Sequence, residues 1–150
     1  YGAPARLEPH SAVLLRALGL LVLKPSSASA ITDELLPEQG GMLSNLLHDL
    51  VKQVRETPDL STAALLGYWM GTDEGELLSE AAAKEVIDDE QHISEHLMAI
   101  LNKLSRDRHV TLLRKRAATL KSVAYTDLSK EQKRELVALT TEIRQLSGRN

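Results

Sequence analysis

Residues 92–96 read His92-Ile-Ser-Glu95-His96. In this H-x-x-E-H order, two histidines about one helical turn apart could hold a zinc ion, with the glutamate between them as a general base. On a helix the two imidazoles lie close together. A catalytic zinc also needs a third protein ligand and an open coordination position. The sequence shows no evident third ligand and no α/β scaffold for a peptide substrate. Both histidines sit on the shoulder of an apolar stripe formed by Ile93, Leu97 and Ile100. They are therefore read as boundary residues on a bundle helix, and no metal, cofactor or catalytic residue is assigned.

Other groupings offer less. The run Asp88-Asp89-Glu90 could hold a hard cation, but acids ahead of a helix more often match its dipole. Gly40-Gly41 lacks the neighbouring lysine and preceding strand of a phosphate loop. Ser, His and Asp residues occur without anything that sets them as a triad. The segment "GYWMG" (67–71) holds two of the four aromatics and could be a binding patch, but an aromatic pair at this spacing is more often core and is read so. With no cysteine in the chain, disulfides, thiolate metal sites and Cys nucleophiles are excluded.

The elements that must carry these residues follow from composition and periodicity. The 150 residues include no Phe and one Trp, so the core must be Leu, Ile, Val, Ala and Met, which favours helices. Net charge is −3, which argues against a general nucleic-acid binder. The apolar run "AVLLRALGLLVL" is too short to span a bilayer and contains Arg16. Nothing ahead of it reads as a signal peptide. The chain opens on Tyr1 rather than Met and is expected to be a piece of something longer.

Residues 1–9, with two prolines, read as a linker tail. A helix opens at His10-Ser11 and closes at Lys24-Pro25, since the residue before proline disfavours the helical region. The connector "SSASAITDELLPEQGG" has room for one short helix. After Gly40-Gly41, Leu43, Leu46, Leu47, Leu50, Val51 and Val54 make a clean helical stripe. A short helix capped by Asp59 or Ser61 follows and ends at Gly71, and another capped by Thr72 or Asp73 covers "TDEGELLSEAAAKEVI". From Asp88 to about Ser122 neither Pro nor Gly occurs, which allows a helix roughly 45 Å long. Its first apolar stripe ends at Leu104, "SRDRH" (105–109) is polar all round, and a second stripe runs Val110, Leu113, Ala117, Leu120. The loop "VAYTDL" and the capping box Ser129-x-x-Gln132 lead into a last helix with Leu136, Leu139, Ile143 and Leu146 on one side.

The expected fold is therefore all-α: a helical bundle over residues 10–108, then a long helix leading into a protruding antiparallel helical hairpin over 109–150. Charge segregates along it, with nine acids and one lysine in 73–95, and seven Lys and Arg against one Asp in 103–121. Such runs are usually solvated faces, but the base of the hairpin could also steer an acidic partner.

Three segments resemble the C-terminal domain of bacterial DnaG primases. "RALGLLVLKPS" (16–26) is similar to that family's first helix, "LLGYWMGT" (65–72) to its leucine-pair, aromatic, Gly-Thr segment, and "LSKEQKRELVALTTEI" (128–143) to its terminal helix. Order and spacing agree from about residue 10 to 147. The resemblance implies a helicase-interaction module that docks on the N-terminal domains of the replicative helicase DnaB. The hairpin would supply the main contact and the bundle would modulate the helicase. It also implies a site for the acidic C-terminal tail of single-stranded-DNA-binding protein, and a cytoplasmic place at the replication fork. Primer synthesis belongs to other domains of that family, a Cys-rich zinc module and a toprim core, whose patterns are absent here.

On the hairpin, Val137, Thr141, Arg144 and Gln145 lie off the Leu136/Leu139/Ile143 stripe and, with Tyr125 near the tip, are the expected helicase contacts. Leu14, Leu15 and Arg16, with Lys84 displaced by a few positions from the family's lysine, are the expected contacts for the single-stranded-DNA-binding protein tail. The N-terminal domain of the helicase itself, whose fold resembles the bundle, and an unrelated helical adaptor are the alternatives.

Overall fold

The computed structural model describes residues 10–85 and 90–148, without the side chains of Glu90 and Gln91. The expected linker tail of residues 1–9 and the pair Asp88-Asp89 lie outside the described residues. The helices are α1 (Ser11–Leu23), α2 (Met42–Glu56), α3 (Thr62–Trp69), α4 (Asp73–Ala83), α5 (Glu90–Lys121) and α6 (Lys130–Ser147). No strand occurs among the described residues. The chain divides into two compact units between Asn102 and Lys103, within α5. The change in periodicity suggested a division at 108/109 instead; both cuts pass through one continuous helix.

In the first unit α1 is the central element. Ala17 to Val22 are buried without a break, as expected of a helix that is apolar on every side. Helix α1 packs most extensively on α4 and also against α2 and α3. Gly19 permits the close approach to α4: a Cβ there would lie 2.5 Å from the Ala81 carbonyl oxygen. The whole α2 stripe, Leu43, Leu46, Leu47, Leu50, Val51 and Val54, is buried, as are Leu65, Leu78, Leu97 and Leu101 from the later helices.

Side chains satisfy several polar groups at the ends of these helices. The Thr62 hydroxyl donates to the Val22 carbonyl at 2.7 Å, satisfying an orphan acceptor at the end of α1. Ser61 and Thr72 accept from the amides of Ala64 and Gly75 and cap α3 and α4. Gly71, at φ 85°, turns the chain between them. The connector departs from expectation. It holds two 3-10 turns, Pro25–Ala30 and Asp33–Leu35, and no α-helix. Its Ser and Ala side chains carry too little apolar stripe to hold a longer helix on the core. Arg55 of α2 ties the connector down by donating to Asp33 at 2.7 Å and to the Ile31 carbonyl at 2.5 Å.

The second unit is the helical hairpin. Its core is Ala117 and Leu120 of α5, Leu128 of the loop and Leu139 of α6, with Leu113, Leu136 and Ile143 packed against it. The loop makes a single 3-10 turn, Tyr125–Asp127. The capping box forms in both directions: the Gln132 amide donates to Ser129 Oγ at 3.1 Å and the Ser129 amide to Gln132 Oε1 at 2.9 Å. The segment 105–109 continues as regular helix, and its polar residues 105–108 are half-buried.

Candidate functional site

His92 and His96 are both exposed, one turn apart, with ring centroids 6.5 Å from each other. Arg16 of α1 reaches His96 Nδ1 at 3.3 Å. A guanidinium only donates, so Nδ1 is the acceptor in this contact. Among the described residues, no group of three His, Cys, Asp or Glu side chains is placed to hold a metal ion.

The same contact gathers residues that are far apart in the chain. Arg16 Nε also donates to Glu85 Oε1 at 3.0 Å, and Lys84 precedes Glu85 at the exposed end of α4. Arg16, Glu85 and His96 therefore share one patch, which no local pattern in the sequence could disclose. Of the tail contacts expected there, Leu15 is half-buried and Arg16 and Lys84 are exposed. Leu14, at 3 % exposure, falls on the buried side of α1.

On the hairpin, the residues off the seam are exposed. Val137 is 63 % and Tyr125 60 % exposed, large values for apolar side chains. Thr141, Arg144 and Gln145 are exposed on the same side of α6 as Val137. The Thr141 hydroxyl donates to the Val137 carbonyl at 3.0 Å, which turns its methyl outward. Tyr125 stands at the loop, with the Lys133 ammonium 4.7 Å above its ring.

Periodicity missed some exposed apolar groups. Leu112 is half exposed on α5, and its displacement from the Val110/Leu113/Ala117 stripe was the available signal. The segment "GYWMG" is a correction, since only Trp69 is half-buried, donating from Nε1 to Gln53 Oε1 at 3.0 Å. Tyr68 and Met70 are 70 % and 78 % exposed. An eight-residue helix is too short for its pattern to choose a face.

Residues 14–139 match the family model described as DNA primase DnaG DnaB-binding. The chain belongs to this DnaG family. It is similar to the DNA primase of Pseudomonas putida, 30 % identical over 142 residues that cover 91 % of this chain and 20 % of the relative. The DNA primase of Pseudomonas aeruginosa is 25 % identical over 120 residues, 79 % of this chain and 18 % of its own length. The chain thus spans about a fifth of the curated primases it matches. The fold is similar to the solved DnaG primase C-terminal domain of Vibrio cholerae, with a TM-score of 0.56 and 24 % identity over 85 % of this chain and 96 % of that one. The all-α architecture is shared with that domain.

Proposed function

We propose that this chain docks on the replicative helicase DnaB as the helicase-binding part of a primase. Family membership over residues 14–139, a span that reaches into both compact units, carries the reading. The hairpin supplies the main contact, through Tyr125, Val137, Thr141, Arg144 and Gln145, and the bundle modulates the helicase. The chain itself makes no primer; synthesis belongs to other parts of the primase. Its place is the cytoplasm, at the replication fork. No described helix is long and apolar enough to cross a membrane, which is compatible with that place.

Calorimetric titration into intact DnaB hexamer tests the face. Val137→Glu puts a carboxylate on the exposed row without touching the hairpin core. Affinity should fall about tenfold or more, equivalent to roughly 1.4 kcal/mol, with the thermal midpoint unchanged. Unaltered affinity would remove this face from the interface.

A second contact is supported by the patch around Arg16. The acidic tail of single-stranded-DNA-binding protein would lay a carboxylate on Arg16 in place of Glu85, with Leu15 beside it and Lys84 near. Arg16→Glu should abolish binding of the isolated tail peptide. Binding at the original affinity would place the tail elsewhere.

A further inference from the structure

The two edges of the hairpin seam differ. Along one edge α5 and α6 are strapped together. Arg116 grips Glu135 with two hydrogen bonds, at 2.6 and 3.0 Å, and His109 Nε2 lies 3.3 Å from Glu142 Oε1. Along the other edge a groove of about 360 Å³ opens, lined by Arg114, Ala117, Ala118, Lys121, Thr140 and Ile143. Helical phase separates the two sets, since Arg114 and Lys121 flank Ala117 on the side away from Arg116.

The groove has an apolar floor and a cationic rim. Ala117, Ala118 and Ile143 give it only hydrocarbon. The Thr140 hydroxyl is turned back on its own helix, donating to the Leu136 carbonyl at 2.8 Å, and so offers its methyl. Arg114 is steadied by its Nη2 donating to Ser147 Oγ at 3.1 Å, with other N–H groups left to donate. Lys121 follows seven residues later on the same side, roughly 10 Å along the helix. No lining residue is acidic, and among the described residues neither Arg114 nor Lys121 makes an ion pair.

We propose that this open edge seats an amphipathic helix of the helicase, a proposal that rests on the docking reading above. Its apolar stripe lies on Ala117, Ala118 and Ile143, and two of its acidic side chains, about two turns apart, reach Arg114 and Lys121. A helix fits because the cations stand at heptad spacing, at which a helix laid along α5 repeats its facing side chains. Two helices bury only one stripe each, and a third laid along the open edge completes a three-helix arrangement. The rim charges select an acidic partner and speed its approach, while the floor supplies the apolar burial.

Two variants of the full chain, titrated into the intact DnaB hexamer at low and raised salt, test this. Arg114→Glu with Lys121→Glu reverses the rim, and Ala118→Trp plugs the groove at an exposed position without changing charge. Both should weaken binding about tenfold or more. Reversing the rim should also flatten the salt dependence, which Ala118→Trp should leave intact. Circular dichroism and the melting midpoint establish that each variant is folded; if the double reversal unfolds the hairpin, Lys121→Glu alone takes its place. Undiminished binding of the folded variants, with Val137→Glu still weakened, overturns the groove and leaves docking standing. Failure of the unaltered chain to bind the helicase overturns docking and the groove together.

Discussion

Glu135 shows how a single side chain ties stability to pH. The hydrogen bonds from Arg116 hold its carboxyl below the ordinary range, against a smaller opposing effect of desolvation, and the guanidinium charge adds to the lowering. Asp33 is lowered in the same way, first by its hydrogen bond from Arg55 and then by that residue's charge. A carboxylate with a depressed folded pKa stabilises the fold above its unfolded pKa, and loses that contribution as pH falls through the folded value. Glu135→Gln should therefore lower the melting midpoint near neutrality, and the two melting curves should converge below about pH 4. A gap that stays constant through the acid range would assign the effect to packing instead. Gly19 makes a different point at the same scale. Helix propensity alone favours alanine there by about 1 kcal/mol. The obstacle is a backbone carbonyl 2.5 Å from the new Cβ, which cannot rotate away. Gly19→Ala should cost about 1–3 kcal/mol in urea unfolding, and a stabilised variant would contradict the close packing. Neither residue was legible beforehand. Glu135 and Arg116 belong to different helices, as do Gly19 and Ala81, and only the fold brings each pair together.

At the scale of elements, periodicity carried most of the information. The stripe from Leu43 to Val54 is buried as read, and the two stripes of the hairpin meet in one core. The Ser129 capping box was legible because both partners lie within four residues of each other. Two short segments were not. The Ser-rich connector forms 3-10 turns, and Tyr68 of α3 and Met70 just after it face solvent, because neither segment has enough turns for its pattern to choose a face. The hairpin also rests on few residues. With a core cluster of Ala117, Leu120, Leu128 and Leu139 among the described residues, a cavity there weighs heavily. Leu139→Ala should cost about 2–5 kcal/mol and raise amide exchange across 110–147 ahead of the bundle helices. Exchange that rises equally in both units would mean that they unfold together.

The whole molecule joins an acidic stretch, residues 73–95, to a basic one, residues 103–121, along one chain. An interaction module built this way should bind its partner with a marked dependence on ionic strength, because exposed charges act over about a Debye length, roughly 8 Å at physiological salt. The three resembling segments lie in both compact units, so the family was legible at this scale although several of its individual contacts were not. The most direct measurement is calorimetry of the full chain with the DnaB hexamer at two salt concentrations, beside a chain ending at Asp127 that lacks α6. Expected is binding by the full chain, weakened by salt, and none by the shortened chain. Equal binding by both would contradict the hairpin as the docking element, and binding by neither would contradict helicase docking by this chain.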